Sequence, residues 1–329
     1  MRVTCPRCGQ PGYLTRVKVY GKYYMRVEHV ENGKKRICYL GRDAEALRQY
    51  IESALGSGDA YKVIRFAGGD YKIADILRPR LERLCPKRCT FVEVFGGSGY
   101  MSQTVSRSVY NNIIYNDVNN LLVNLYKHIK EDPEALAMVL STLPYSRSYH
   151  MIISQLVREC KEFASLAVAA MVFYIYNTSF VATLTNGGFG YAKHPGRNQA
   201  KEYKARVLAV LRYAATWRDV VFESLDFREI IKKYDSELTV FYLDPPYVDR
   251  AEEYYGTSFT VEDLREMATM LTQIRGRFLL KVDKKTYELI SDILPGDRYN
   301  VEVFERKLNM QRVRGTQRGT WTLVLVSSR

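Results

Sequence analysis

The run Asp244-Pro245-Pro246-Tyr247 carries the strongest chemical signal in the chain, because it directly follows the apolar stretch Thr239 to Leu243. Such a stretch reads as a buried strand, and in open α/β sheets ligands gather just beyond the carboxyl ends of strands. Prolines in series fix their φ angles and remove amide donors, so the carbonyls of a stiff loop project as acceptors. The exocyclic amine of a nucleobase has two N–H donors. One would go to the Asp244 carboxylate and the other to the Pro245 carbonyl. That arrangement draws the nitrogen lone pair out of conjugation and aims it at an electrophile, while Pro246 stiffens the loop and the Tyr247 ring offers a stacking surface. The plain structural alternative is a strand ending in a Pro-Pro turn with a capping acid.

Two further runs could serve the same cleft. Phe91-Val92-Glu93-Val94-Phe95 leads into Gly96-Gly97-Ser98-Gly99, a strand entering a glycine turn before a helix. Glycines let backbone approach a ligand closely, although the same pattern also makes an ordinary tight turn and is not the dinucleotide fingerprint G-x-G-x-x-G. Ile113-Ile114-Tyr115-Asn116-Asp117 is a second short strand ending in an acid. An acid there can accept both hydroxyls of a ribose, or it can cap the following helix. Asn119 is also placed to cap that helix, so both roles can hold together.

These runs need a sheet to bring them together. Strand patterns at Phe91–Phe95, Leu238–Leu243, Phe278–Val282 and Thr322–Val326 alternate with helical patterns such as Asn119–Lys130 and Val261–Ile274. Alternation of this kind implies an α/β sheet covered by helices. The stretch 133–213 is helical, rich in Tyr, Ala and Ser, and reads as inserted between two halves of the sheet. Residues 1–42 form a small basic segment with period-two strand patterns. An amphipathic helix is expected over Asp43–Leu55, with a flexible joint at Gly56-Ser57-Gly58-Asp59 and a domain boundary near residue 58. The expected divisions are 1–58, then 59–132 with 214–329, and 133–213 between them.

The chain has 329 residues, 47% of them hydrophobic, which is ample for a core and for more than one domain. The longest apolar run, Leu166 to Tyr176, is about half of the roughly 20 residues a spanning helix needs. A soluble, membrane-free protein of the cytoplasm is the expectation. Formal net charge is +13, which favours polyanionic partners without bearing on fold. The charge is clustered: residues 1–50 carry eleven Lys and Arg against four Asp and Glu. Arg306, Lys307, Arg312, Arg314 and Arg318 follow one another with no acid between them and suit DNA phosphates, a solvated hairpin being the alternative.

Cys5-Pro6-Arg7-Cys8 is a C-x-x-C knuckle, and His29 with Cys38 is the nearest complement. Three thiolates and an imidazole make a closed tetrahedral zinc site, so one structural zinc is expected in a zinc-ribbon-like module that would bind DNA or stiffen its neighbour. A redox pair and an exposed His29 are the alternatives. Cys85 and Cys89 can join in a disulfide or stay apart, and the second is the expectation. Cys160, in an apolar helical stretch, reads as core.

Taken in order, Ala67-Gly68-Gly69, Phe95 to Gly99, Asn116-Asp117, Asp226-Phe227 and Asp244 to Tyr247 resemble the alpha group of N6-adenine DNA methyltransferases, the Dam-like or D12 class. The resemblance spans residues 62–329. It implies a Rossmann-like S-adenosylmethionine-dependent methyltransferase sheet with an inserted helical target-recognition domain. It implies further that Phe66, Ala67, Gly68, Gly69 and Lys72 shape the methionine end of the cofactor pocket. Glu93, Phe95, Gly97 and Gly99 would line its glycine loop, Asp117 would hold the ribose, and Asp226 would accept from the cofactor's adenine with Phe227 beside it. Asp244 would border the cofactor and, with Pro245, Pro246 and Tyr247, hold an extruded base. Asn177, Thr178, Ser179 and Phe180, with Gly188, Phe189 and Lys193, resemble the family's DNA-facing loop.

There are departures from the family pattern. The family usually has Lys after the Gly-Gly pair, where this chain has Asp70, and Lys72 is the nearest substitute. Val181 and Ala182 stand where a Gly is common. The implied partner is double-stranded DNA in a prokaryotic or viral setting, with a monomer acting alone or beside a cognate restriction endonuclease. Cytosine N4, RNA adenine, and DNA binding without catalysis are the competing readings.

Overall fold

The computed structural model describes residues 2–4, 11–31, 34–42, 63–66, 69–159, 164–180, 183–184, 187–191, 196–248, 258–307 and 320–329. The expected helix over Asp43–Leu55, the joint at Gly56 to Asp59 and Cys160 lie outside these residues.

The basic N-terminal segment forms an antiparallel meander of β1 (Arg2–Thr4), β2 (Pro11–Val19), β3 (Lys22–Glu31) and β4 (Lys34–Arg42). Its period-two pattern puts Met25, Val27 and His29 on one buried face.

The remaining strands are β5 (Cys89–Glu93), β6 (Tyr110–Asn116), β7 (Val220–Glu223), β8 (Thr239–Leu243), β9 (Arg277–Asp283), β10 (Asn300–Lys307) and β11 (Thr320–Ser327). They make one sheet in the order β10-β11-β9-β8-β5-β6-β7. The five from β9 to β7 are parallel, and β11 runs antiparallel between β9 and β10. The central strands are apolar on both faces, as strands covered on both sides must be. Phe91, Tyr115, Tyr242 and Leu279 face one layer of the core, and Val92, Ile114, Phe241 and Leu280 face the other.

Helices α1 (Ala74–Leu84) and α3 (Asn120–Glu131) cover the first face, while α2 (Tyr100–Thr104) opens directly after the glycine turn. Helices α8 (Phe227–Tyr234) and α9 (Val261–Leu271) cover the second face, and the short α10 (Lys284–Glu288) follows β9. Helices α4 (Pro133–Thr142), α5 (Arg147–Glu159), α6 (Leu166–Thr178) and α7 (Gln199–Thr216) lie in the chain between β6 and β7. Their buried side chains, among them Leu136, Ile153, Phe173 and Tyr203, join those beneath the sheet in one continuous cluster.

Cys85 and Cys89 are joined in a disulfide, contrary to the sequence expectation. The end of α1 and the start of β5 bring their Cα atoms to 5.7 Å, within the ordinary bridging range.

The chain leaves β5 toward β6 on one side, and β8 pairs with β5 on the other. Such a switch point opens a crevice at the carboxyl ends of the two strands. The glycine turn after β5 and the Asp244 loop after β8 both emerge there.

Candidate active site

An open cleft of about 790 Å3, counting its solvent-filled mouth, lies at that switch point. Phe66, Gly69, Phe95, Gly97, Asp117, Asp244, Pro246 and Tyr247 line it, joined by Asp70, Tyr176 and Lys281. Phe95, Gly97, Asp117, Asp244, Pro246 and Tyr247, far apart in sequence, meet for a local reason: each follows a strand of one parallel sheet.

The glycine turn is built for close approach. Gly97 has φ +48°, and a Cβ there would stand 2.9 Å from the Phe66 ring. Gly99, with φ +62°, would drive a Cβ into Trp217 at 2.3 Å. From beneath, Tyr115 and Tyr126 donate their hydroxyls to the Gly97 carbonyl at 3.0 and 3.2 Å. Asn116 ties the strand ends together: its amide donates to the Val94 and Leu225 carbonyls and accepts from the Leu225 N–H at 2.9 Å.

Asp117 faces the cleft, and its carboxylate accepts from the Gly97 N–H at 2.7 Å and the Asn119 N–H at 2.8 Å. Asn119, and not Asp117, caps α3 by accepting from the Leu121 N–H, which leaves Asp117 its remaining lone pairs. Burial pushes the Asp117 carboxyl up to about 6, against the lowering pull of the two backbone N–H groups.

Asp244 sits at the end of β8. The parallel register pairs Leu243 with Leu280, so the next step along both strands sets Lys281 beside Asp244. The Lys281 ammonium makes an ion pair with the Asp244 carboxylate and another with Asp70. Asp70, buried in the 3-10 turn Asp70–Lys72, also accepts from the Tyr242 hydroxyl at 2.6 Å. Burial raises the Asp244 carboxyl above its ordinary range; Lys281 opposes this and Asp70 adds to it. The two carboxylates hold Lys281 firmly protonated against its own burial.

Lys281 is absent from the sequence expectations, although a signal exists. It is a lone charge within the apolar run Phe278 to Val282, and Lys is almost never fully buried unless paired.

Several expected cofactor residues stand elsewhere. Lys72 is not among the residues lining the cleft; its ammonium lies 5.6 Å from the Tyr71 ring. Glu93 is buried behind the glycine turn, where it accepts from the Ser102 N–H at 2.8 Å and from the Ser102 hydroxyl. Burial lifts its carboxyl to about 8, so it is largely neutral at pH 7. Asp226 caps α8 by accepting from the Arg228 N–H at 2.9 Å, and the Arg228 guanidinium covers it at 3.2 Å. Phe227 packs behind Phe95 at 6.0 Å between ring centres instead of lining the cleft. Pro245, expected to hold the base and not the cofactor, is buried and borders an adjoining small cavity that Asp244, Tyr247 and Lys281 also line. Ala67 and Gly68 lie outside the described residues.

The expected DNA-facing run needs correction as well. Asn177, Thr178 and Ser179 are buried. The Asn177 amide donates to the Phe173 carbonyl, the Thr178 hydroxyl to the Tyr174 carbonyl, and the Ser179 hydroxyl to the Thr183 carbonyl. They build the loop and do not present it. Only Phe180 of that run is strongly exposed, at 64%. Phe189 stacks against Tyr145 at 4.9 Å, with the Arg147 guanidinium over it, and Gly188 accepts from the Phe180 N–H at 2.6 Å. Lys193, Arg312, Arg314 and Arg318 lie outside the described residues.

A strand-end acid before Pro-Pro, a glycine turn and a second strand-end acid, Asp117, thus line one cleft. The profile of the D12 class of N6 adenine-specific DNA methyltransferases matches residues 66–306. The chain belongs to that family. A Type II methyltransferase of Lactococcus lactis subsp. cremoris, M1.LlaDCHI, is 24% identical over 196 residues. That match covers 56% of this chain and 66% of the Lactococcus enzyme, just under two thirds of its length.

Among solved structures, a precorrin 8w decarboxylase of Methanobacterium thermoautotrophicum is 12% identical, covering 80% of this chain and 93% of that one with a TM-score of 0.35. A precorrin-6y C5,15-methyltransferase of Geobacter metallireducens is 11% identical, covering 82% and 98% with a TM-score of 0.31. Superpositions this loose do not bear on function. The methyl donor of the D12 family is S-adenosylmethionine, and its acceptor is adenine N6 in DNA.

Among the described residues no group of three or more His, Cys, Asp or Glu is placed to hold a metal, and no helix is long and apolar enough to cross a membrane. Cys5 and Cys8 lie outside the described residues. His29 pairs with Arg36, and Cys38 with Val27, which sets His29 and Cys38 on one face of the N-terminal sheet.

Proposed function

We propose that this chain methylates adenine N6 in double-stranded DNA as a Dam-like enzyme, taking the target base out of the duplex into the cleft beside Asp244. The observation that carries the reading is the shared cleft of Asp244, Tyr247, Gly97 and Asp117. Chemistry on a base edge requires removing the base from the stack, at a cost of a few kcal/mol. Tyr247 supplies a surface on which the extruded base stacks. Asp244 accepts one N–H of the adenine amine and the Pro245 carbonyl the other.

The cleft fits the family's donor. Gly97 leaves room for its backbone to approach the amino-acid end, Phe66 and Phe95 offer apolar walls, and Asp117 has lone pairs for the ribose hydroxyls. When bound, S-adenosylmethionine supplies an activated methyl group on a sulfonium. The task of the chain is to set the amine nitrogen in line with that methyl, which is catalysis by proximity. As the new N–C bond forms and the methyl–sulfur bond breaks, its electron pair staying on the sulfur, Asp244 stabilises the positive charge growing on the nitrogen; the extra proton of the nitrogen then passes to solvent water.

Residues 133–213 are assigned to target recognition, with Phe180 as the exposed aromatic of the loop. His150 ties that loop down by bonding the Thr178 hydroxyl at 2.8 Å and the Gly187 carbonyl at 3.0 Å. The Type II relative favours a place beside a cognate restriction endonuclease, in the cytoplasm of a prokaryote or in a virus-infected cell, with the monomer as the acting form. The test is incubation with methyl-labelled donor and duplex DNA, then digestion to nucleosides. Label is expected in N6-methyl-2′-deoxyadenosine; label only in deoxycytidine, only in RNA offered in a parallel reaction, or nowhere would overturn the reading.

In the N-terminal segment a structural zinc on Cys5, Cys8, His29 and Cys38 is proposed from the knuckle spacing and the shared face of the last two. Elemental analysis should find one zinc per chain, and a metal-free, fully folded protein would exclude it.

A further inference from the structure

A departure from the family pattern and a lone buried cation meet at one point in space. Position 70 carries an acid where the family usually has Lys, and the apolar strand β9 carries a cation at Lys281. Lys281 is only 5% exposed, and its ammonium reaches both Asp70 and Asp244. A buried cation thus stands against the reacting loop, held by an acid on its other side. We propose that Lys281 is a positioning residue for methyl transfer: braced by Asp70, it fixes the Asp244 carboxylate in the orientation that receives the target amine. The proposal rests on the reading of Asp244 given above.

Geometry favours a clamp over simple neutralisation. Asp70 is itself fixed from two sides, by Lys281 and by the Tyr242 hydroxyl at 2.6 Å. Tyr242 and Lys281 come from neighbouring strands in parallel register, and Asp70 comes from the turn above them. An ammonium is a compact charge with three donors; one holds Asp70 and one holds Asp244. The Asp244 carboxylate, on a loop stiffened by two prolines, then has little freedom to rotate.

Among the described residues, the charged or titratable groups around Asp244 are Lys281 from β9, Asp70 from the 3-10 turn, Tyr242 from β8, Glu93 behind Tyr242 on β5, and Tyr247 at the loop's end. The two charges nearest Asp244 pull in opposite senses. Removing Lys281 deletes the cation that favours the ionised carboxylate, whereas removing Asp70 deletes a like charge that disfavours it.

The test compares wild type, Lys281→Met and Asp70→Asn. The titration of Asp244 is followed by carboxyl carbon NMR in aspartate-labelled protein, with Asp244→Asn assigning the signal. Single-turnover methyl transfer is measured across pH alongside. Lys281→Met is expected to lower the single-turnover rate by about a hundredfold. Its Asp244 midpoint and the acid limb of its rate profile should move to higher pH, with donor affinity within about threefold of wild type. Asp70→Asn should move the midpoint and acid limb to lower pH and keep the rate within about tenfold.

A Lys281→Met enzyme within about threefold of wild-type rate with an unmoved acid limb would overturn the clamp. So would both variants shifting Asp244 in the same direction. Should Lys281→Met fail to fold, Asp70→Asn decides alone, an unmoved or raised midpoint counting against the clamp. A wild-type protein that binds the donor but makes no N6-methyladenine refutes the proposed function instead, and the NMR titration still decides the clamp.

Discussion

Alanine at Asp244 is expected to lower the single-turnover rate of methyl transfer by about a thousandfold or more, while donor affinity changes by less than about threefold. The carboxylate is the negative group positioned to receive a base amine at the cleft, and the alanine methyl offers no acceptor. An interaction made mainly as positive charge grows on the nitrogen is one whose loss appears in the rate and not in ground-state binding. Asparagine at the same place keeps an acceptor oxygen but loses the charge, so Asp244→Asn should fall between wild type and alanine.

Neither variant should unfold the protein. Lys281 retains Asp70 as a partner, so no buried charge is left alone, which is the usual reason that breaking an ion pair is severe. The sign of linkage agrees. The Asp244 carboxyl is raised by burial in the folded chain; its ionisation therefore works against the fold as pH rises, and removing it does not lower the melting temperature at pH 8. Turnover within about tenfold of wild type, in a protein of unchanged melting temperature, would remove Asp244 from its assigned role.

What the sequence discloses about this site divides along a physical line. The Asp244 loop and the turn at Gly97 are legible because each is local: a strand, a stiff or glycine-rich turn, and the geometry follows from the residues themselves. Strand β8 is expected to end at Leu243 and does; helix α3 begins one residue after its expected start because Asn119 serves as the cap. Contacts between residues far apart in the chain are not legible in this way. Asp70 and Lys281 are separated by 211 positions, so each looks like an isolated oddity until the sheet register joins them. Lys72, the nearest cation in sequence, was the natural substitute for the missing family Lys, yet Lys281 is the cation that the fold delivers.

Burial explains the other corrections. Small polar residues such as Asn177, Thr178 and Ser179 read equally well as ligands for DNA and as partners for backbone carbonyls. The end of α6 turns them inward, where unpaired polar groups would be penalised. Asp226 instead stays partly exposed beside Arg228, whose guanidinium binds Asp226, Asp263 and Glu266 together. The Cys85–Cys89 bridge depends on a Cα separation that no spacing rule fixes.

Asp117 gives the second large effect, and it is one of binding. Asp117→Ala should weaken donor affinity by about a hundredfold, since hydrogen bonds to a charged acceptor contribute about 1.5–3 kcal/mol each. Asp117→Asn is the more telling variant, because it also removes a titration. Burial places the Asp117 carboxyl at about 6, and the ionised form offers both oxygens as strong acceptors to a pair of ribose hydroxyls, whereas protonation turns one of them into a donor. Donor affinity should therefore rise with pH up to about 6 and level off above it, with the dissociation constant growing by about tenfold for each unit below that point. The stability of the ligand-free chain should run the other way. A carboxyl raised in the folded state stabilises the fold at pH values below its ordinary range, and that contribution is lost as pH rises toward 6. Binding and stability thus change in opposite directions across one window, a pattern that general acid unfolding does not produce. Calorimetric titrations between pH 5 and 7.5 should show the slope in wild type and its disappearance in Asp117→Asn. A slope that survives the substitution would assign the pH dependence to another group and leave Asp117 as a structural clasp for the Gly97 turn.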